Sequence, residues 1–506
     1  MPYDPPSADA YAAAPLLNCL LREIAQPTAE PGVHRLPGGR LLRVHGTRRP
    51  TRPELYDDLG PGRDDVGRLD PAAPDPHGTP HPLDHPALVK LVAEELRLHT
   101  GLDNPGLPAE MLDSREAVAA ILAARAHTPP PDDPYRRSEQ SLVTGHPFHP
   151  APKARGGGPA AAWLPYAPEA YAAFPLTLLG VREDLVVEEG DVSALDALGE
   201  APPGYRLLPA HPWQLELLGG ALQQAFSEKH LVHLGTTAPD AWPTAAIRTV
   251  YDPARDLFLK FSLDVRITND IRRLWAHDLR RLRRTDEAAA RALPGAWLSD
   301  RGYRTASFAF EELAVLVRDG FGDLGDSGAP PLLAAGLTEG FDGSPLAATT
   351  DPEGWWEAYL RAVVQPAVTA FATGVVLEAH AQNTLVAVDA AGTPVKALYR
   401  DAEGVKLLTD VDREAGVDRA AGWERLVYTL VVNHLTETAG ALTEHHPGFD
   451  PWPAVRREFA RHDLPEATAL LTAPTLPGKT NLLLRWTGAD GADARYLPLP
   501  NPLATP

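Results

Sequence analysis

The sequence predicts an α+β protein of several subdomains. Three observations point there. Its 506 residues are too many for one ordinary core and suggest roughly two to four domains or subdomains. Some stretches place apolar residues at helical spacing, while others alternate as strands do. The 53 Pro and 41 Gly cut the chain into short segments. At 44% hydrophobic and 23% charged residues, apolar material is ample for sizeable cores.

Residues 8–25 read as an amphipathic helix. Cys19 lies in its apolar run as a small buried hydrophobe. One Cys cannot form an internal disulfide, which is compatible with a reducing compartment. Residues 33–45 alternate like a strand pair around Pro37-Gly38-Gly39. Residues 61–85 read as a loop, 86–100 and 114–127 as helices, and Thr128-Pro-Pro-Pro-Asp-Asp-Pro134 as a breaker and boundary. From 135 to 275 short strands and helices mix, with a helix-like run at 214–226. Residues 276–295 read as a helix, and 355–374 as a helix interrupted by Pro366. Residues 375–379 and 384–388 then read as β-structure flanking His380-Ala381-Gln382-Asn383, and 395–401 follows a turn at Ala390-Ala391-Gly392. The remainder is mainly helical before a Pro-rich tail. No repeat of solenoid length is present.

Charge excludes some functions. The balance of 47 Lys+Arg against 67 Asp+Glu gives −20, a surface that repels nucleic-acid backbones and anionic lipid heads. The first residues carry no signal-peptide pattern, and no apolar run approaches the ~20 residues that span a bilayer. A cytoplasmic protein without nucleic-acid or membrane partners is expected. On so acidic a chain, clustered cations are informative, and the seven Lys among many Arg stand out.

Several clusters draw notice. Gly145-His146-Pro147-Phe148-His149-Pro150-Ala151-Pro152-Lys153-Ala154-Arg155 is a stiff, Pro-rich segment followed by Gly156-Gly157-Gly158. It could present several donors to one anion such as a triphosphate. Its His could instead bind a metal, but no nearby acid assists and Lys153 and Arg155 would repel a cation. A bland His/Pro-rich surface loop is the other reading. His211-Pro212-Trp213-Gln214 opens a helix and is weak alone. In Leu257-Phe-Leu-Lys-Phe-Ser-Leu263, Lys260 interrupts an apolar strand, so it is either ion-paired or reaches a ligand. Arg248 and Arg272 add fork-shaped donors suited to phosphate or carboxylate; structural ion pairing is the alternative. Glu378, His380, Gln382, Asn383, Asp401 and Glu403 lie on what reads as one hairpin, where hard oxygen atoms could hold a phosphate-bridging Mg²⁺. Pro477-Gly478-Lys479-Thr480 is not a P-loop, because position 473 is Ala. Lys479 could still close an anionic site.

Taken in order, these motifs resemble the siderophore synthetases that work without a nonribosomal assembly line, the IucA/IucC (aerobactin synthetase-like) family. The residues that carry the resemblance are Leu16-Leu-Asn-Cys-Leu-Leu-Arg-Glu23, Glu139 through Arg155, His211-Pro-Trp-Gln214, Arg248-Thr249, Lys260 with Thr268 and Arg272, Glu378-Ala-His-Ala-Gln-Asn383, and Arg400-Asp401 with Gly404. The resemblance implies a hand-like α+β architecture: a thumb (1–137), ATP-binding fingers (138–335) and a distantly kinase-like palm (336–506) built on an antiparallel sheet. It also implies ATP and Mg²⁺, an acyl-adenylate formed from citrate or a related acid, an amine or hydroxyl nucleophile, and a homodimer. His149, Lys153, Arg155, Arg248, Thr249, Lys260 and Gln382 would bind nucleotide. Glu378, Asn383 and Asp401 would hold Mg²⁺. Thr268, Arg272, His380 and Arg485 would bind substrate, with His146, Arg272, His380 and Lys479 acting on the reacting groups. The family usually has Ser where this chain has Ala246. A kinase-like phosphotransferase, or a non-catalytic binder, is the competing expectation.

Overall fold

The computed structural model describes residues 7–56, 79–238, 240–322, 331–489 and 496–504. The helix Ala8–Glu23 begins where the Ser7 hydroxyl accepts the Ala10 N–H at 3.3 Å, a side-chain cap that satisfies an orphan donor. Leu16, Leu17, Cys19 and Leu20 are fully buried. They share one core with Leu88, Val92 and Leu96 of the helix His85–Thr100 and Met111 of Gly106–Arg125. The expected pair at 33–45 forms as Val33–Arg35 and Leu41–His45. Most of the expected loop at 61–85 lies outside the described residues. Its end departs from expectation, because Pro80–Pro82 pairs with Thr51–Tyr56.

The middle of the chain builds a six-stranded antiparallel sheet, ordered Trp242–Pro243, Thr249–Asp252, Leu257–Phe261, Val315–Asp319, Asp300–Ala306 and Val186–Gly190. Strand periodicity sends alternate side chains to opposite faces. Leu257, Leu259 and Phe261 therefore enter a core shared with a three-stranded sheet that contains Leu179 and Leu208. Each such buried side chain contributes about 2 kcal/mol. Phe258 and Lys260 face the other way. The expected helix at 214–226 is broken into Pro212–Leu218 and Gln223–Ser227 around Gly219-Gly220. Residues 276–295 form two helices, Ala276–Leu279 and Leu282–Ala292.

Two expectations for the C-terminal region are corrected. The helix Pro352–Ala372 runs through Pro366 without a break. The Tyr399 hydroxyl donates to the Val363 carbonyl, three residues before the proline, and ties the helix to its neighbouring strand. The segments at 375–379 and 384–388 are not two arms of one hairpin. Val375–Val376 pairs with Lys406–Leu407, whereas Thr384–Val388 pairs with Pro394–Tyr399. Residues 377–383 form the connection between these small sheets, and the turn after Tyr399 returns beside it. Near the chain end, Thr475–Lys479 pairs with Tyr496–Pro500. The helix Asn481–Thr487 inserts Leu482 and Trp486 into the N-terminal core. No described helix is long and apolar enough to cross a membrane.

Candidate functional site

Lys260 is 3% exposed on a strand whose other residues are apolar, so its charge requires a partner. It donates to Asp401, and to Glu403 Oε2 at 2.6 Å. Strand register places Arg318 on the same face, and it binds Asp300 at 2.6 Å and Asp401 at 3.3 Å. Burial opposes ionisation of Asp401, but Lys260 and Arg318 outweigh it and hold the carboxyl far below its ordinary range. Asp401 has φ +86°, a conformation rare outside glycine that tertiary contacts must impose. One such contact is the buried pair of neighbouring Arg400 with Glu139, at 2.6 Å.

Thr249 lies opposite Lys260 in register. The preceding turn carries Ile247 at φ +56°, and the Thr244 hydroxyl approaches the Ala246 N–H at 3.4 Å. Arg248 leaves this turn to reach Glu403 at 3.2 Å and the Arg272 and Arg273 carbonyls at 3.2 and 3.0 Å. Arg272, in contrast, forms no ion pair with an acid among the described residues. Its guanidinium donates to the Ile267 carbonyl at 2.6 Å and the Thr268 hydroxyl at 2.5 Å. Burial, then Arg248, pulls it down to about 10. Thr268 itself has φ +60°. A half-buried guanidinium beside a hydroxyl is a donor set suited to an anion.

The His-Pro pairs have a common local logic. Proline lacks an N–H, so the histidine ring reaches the next one along. Nδ1 of His146, His149 and His211 accepts from the N–H of Phe148, Ala151 and Trp213 at 3.0, 3.1 and 3.2 Å. His380 Nδ1 approaches the Asn383 N–H at 3.3 Å. Each ring must then carry its proton on Nε2, which becomes a donor. Burial, then His380, draws His146 down to about 3, and burial also lowers His149 and His380. These are neutral donors. His149 Nε2 and the Asn269 carbonyl oxygen are both buried, and the two side chains interact with each other. The fields of His146, His380, Lys479 and Arg272 are linked, with Glu378 and Asp401 at the same place. Lys479, lowered mainly by burial, forms no ion pair among the described residues.

Glu378 binds Arg425 at 2.9 Å. The Asn383 amide nitrogen donates to the Glu378 carbonyl at 3.3 Å, which leaves its carbonyl oxygen available. Among the described residues no group of three or more His, Cys, Asp or Glu could hold a metal alone. Two carboxylates and one amide oxygen nonetheless suit Mg²⁺, which takes few protein ligands and completes its shell with water and phosphate. Glu403 Oε1, buried without a partner, adds a further hard oxygen atom.

Four expected site residues, Lys153, Arg155, Arg485 and Gln382, engage other parts of the chain. Lys153 and Arg155 turn inward onto Glu169, at 3.1 Å for Arg155. Burial opposes ionisation of Glu169, yet the two cations bring it to about 2. This buried triad pins the His-Pro segment. Arg485 is tied to both Glu110 oxygens, at 2.5 and 2.6 Å. Gln382 contributes its backbone carbonyl to Arg400 at 2.8 Å, with its side chain half-buried. The rejection of a P-loop holds for a physical reason: the N–H groups of Leu482 and Leu483, where an anion would bind, already donate to Glu23.

Sequence reasoning gave no role to Glu169, Arg318 or Arg22. Arg318 carried a signal, as a charge within the apolar strand Val315–Asp319. Arg22 follows Asn18 by four residues, on one face of its helix. Its guanidinium carbon lies 3.1 Å from the Phe148 ring centroid, and Nη1 is buried without a partner.

Comparison with known proteins accords with this geometry. The IucA / IucC family model matches residues 134–337, and the model for ferric iron reductase FhuF-like transporters matches 353–494. The L-2,3-diaminopropanoate–citrate ligase of Staphylococcus aureus is 31% identical over 445 residues, covering 74% of this chain and 75% of that protein. The rhizobactin siderophore biosynthesis protein RhbC of Rhizobium meliloti is 29% identical over 72% of this chain and 75% of its own length. The ATP-bound aerobactin synthetase IucA of Klebsiella pneumoniae superimposes with a TM-score of 0.82 at 22% identity, over 98% of this chain and 100% of that one, a likeness of fold.

Proposed function

The chain belongs to the IucA/IucC family, and on that premise we propose that it is an ATP-dependent ligase joining citrate to an amine in siderophore or related biosynthesis. The observation that carries the proposal is the meeting of two donor sets. Lys260 and Arg248 lie against Asp401 and Glu403, while Arg272, Lys479 and the Nε2 donors have no acid bound to them among the described residues.

In this reading, phosphate replaces Glu403 on Lys260 and Arg248, with Thr249 and His149 alongside. Glu378, Asn383 and Asp401 would hold Mg²⁺, which when bound neutralises charge on the phosphates. Arg272, Thr268 and Lys479 hold the carboxylates of citrate. A carboxylate oxygen attacks the α-phosphorus, giving an acyl-adenylate and pyrophosphate. The amine nitrogen then adds to the acyl carbon, the bond to AMP breaks, and the ammonium proton passes to solvent. His146 and His380 donate Nε2–H to the acyl oxygen as it gains charge, where fixed donors are most effective. Their lowered basicity keeps them neutral at neutral pH.

The hand-like division at 137 and 335 with a kinase-like palm is our reading of the subdomains. Separate apolar cores support it, and the helix Asn481–Thr487 returns to the thumb. A homodimer and a cytoplasmic setting complete the reading; light scattering of the full chain tests the dimer.

The test is a product assay with Mg·ATP, a panel of carboxylic acids and a panel of amines. Citrate-dependent pyrophosphate and AMP are expected, whereas ADP as the nucleotide product would sink the proposal in favour of a kinase. Arg272→Ala should lose citrate-dependent pyrophosphate exchange by about a hundredfold or more with the fold intact. Near-normal exchange in that variant defeats the substrate-site assignment.

A further inference from the structure

The helix Pro134–Glu139 ends on a fully buried carboxylate. Glu139 Oε1 accepts from the Tyr135 hydroxyl at 2.8 Å and from Arg400 at 2.6 Å. Its Oε2 accepts from the Ala245 N–H at 2.9 Å and from Arg400 at 3.3 Å. Arg400 carries the link further. Its guanidinium donates to the Gln382 carbonyl at 2.8 Å, and its backbone N–H donates to the Asn383 carbonyl at 3.2 Å. One buried ion pair therefore joins three segments: the turn before Arg248 and Thr249, the connection that carries Glu378, His380 and Asn383, and the turn that carries Asp401. The base of this link is rigid. Tyr135 packs against Tyr251, Phe258 and Phe321 edge to face, with ring centroids 5.9, 6.2 and 4.7 Å away, contacts that add to apolar burial. Gly336 lies so close to the same helix that a Cβ there would stand 2.4 Å from the Ser138 carbonyl oxygen.

Other links across the site are exchangeable. In the ligase reading, phosphate takes the place of Glu403 on Lys260 and Arg248, so those ion pairs open when nucleotide arrives. The Glu139–Arg400 pair is closed to solvent, with side chains 0% and 4% exposed, and both of its members are already engaged. We propose that Glu139 is a positioning residue of the ligase: it fixes the separation between the cations that take the phosphates and the oxygen atoms that take Mg²⁺. Two oxygen atoms of one planar group receive the Ala245 N–H and the Arg400 fork together, so a shift of either segment breaks a charge-assisted bond. Displacement of a reacting geometry by ~1 Å costs about a hundredfold in rate. The inference rests on the ligase reading and adds the residue that sets its nucleotide geometry. Glu139 itself touches neither ATP nor the acid.

The test measures pyrophosphate release by the full chain, with Mg·ATP, free Mg²⁺ and citrate (or the acid the screen selects) varied in turn. Glu139→Gln keeps the shape of the side chain and removes its charge. It should lower kcat/KM for Mg·ATP by about a hundredfold and raise the Mg²⁺ requirement. The KM for citrate should stay within about twofold of wild type, because among the described residues Arg272 and Thr268 bond to each other and not to Glu139, Ala245 or Arg400. A residue that acts through the Arg248 turn must also be non-additive with it. Arg248→Lys alone should weaken the use of Mg·ATP, and adding Glu139→Gln should then cost about tenfold less than it costs the wild type. Where circular dichroism shows that Glu139→Gln does not fold, Arg400→Lys takes its place: it keeps the buried charge but cannot span both Glu139 and the Gln382 carbonyl. Equal rises in KM for citrate and Mg·ATP, or additive losses with Arg248→Lys, make Glu139 structural only and overturn the proposal. So does a folded variant with wild-type nucleotide kinetics. A wild type that releases no pyrophosphate with any acid defeats the ligase reading instead.

Discussion

Two residues show how burial sets chemistry here. Lys260 is held between Asp401 and Glu403. Lys260→Met should abolish product formation, and it should lower stability by about 3–5 kcal/mol, because buried carboxylates lose their main partner; urea titration checks the second effect. His434 gives a pH dependence. Its Nε2 lies 2.6 Å from the Tyr359 hydroxyl and its Nδ1 2.9 Å from the Ala379 carbonyl, contacts that fit the neutral ring. Burial lowers it from 6.5 to about 4. Below pH 6.5 the unfolded chain takes a proton that the native chain refuses until about pH 4. Stability is therefore full above 6.5 and falls as pH drops towards 4, by about 3 kcal/mol in all. Denaturation profiles across this window should show the slope, and His434→Asn should reduce it. At this scale the sequence supplied the residues that the proposed mechanism uses, including His146, Arg272 and Asp401. It carried no sign that Lys153 and Arg155 meet Glu169, because Glu169, fourteen residues beyond Arg155, reaches them only after the intervening chain folds back.

Among elements, the connection 377–383 and the turn after Tyr399 were legible as a motif pair but not as a topology. Alternation over 375–388 suggests one hairpin, and strand pairing with 394–399 and 406–407 divides it in two. The division matters to the site, because it brings Gly404 against Glu378. A Cβ on Gly404 would lie 2.5 Å from Glu378 Oε2. Gly404→Ala should displace that carboxylate and reduce activity at limiting Mg²⁺ more than at saturating Mg²⁺, with the circular-dichroism spectrum unchanged. A full response at low Mg²⁺ would remove Glu378 from the metal set. The continuous helix Pro352–Ala372 is a similar case. The rule that proline interrupts a helix is local, and it yielded to the packing of Trp356, Tyr359, Val363 and Phe371 in the largest core.

Across the whole molecule, the two ends of the chain are joined. Glu23 receives the N–H groups of Leu482 and Leu483 at 2.9 and 2.8 Å. Trp486, 3% exposed, fills the N-terminal core and donates to Thr100 at 3.0 Å. Trp486→Ala should cost about 3–5 kcal/mol. Because the helix Asn481–Thr487 follows Lys479 directly, it should also weaken citrate-dependent turnover. Unchanged kinetics in a destabilised variant would show that Lys479 is held by its own strand. The acidic surface, at −20 overall, makes the few unpaired cations the places where an anion can rest.

The sequence by itself determined the class of chemistry. Its ordered His-Pro, Arg-Thr, Lys and Arg-Asp motifs carry the family resemblance, and local rules place most of them on the right kind of element. Only the tertiary structure decided which charges stay free. Lys260 meets Asp401 across 141 residues, and Arg400 meets Glu139 across 261. Among the described residues, Arg272 and Lys479 form no ion pair. Whether a charge is neutralised depends on what packing brings within a few ångströms, and spacing along the chain carries no record of that distance.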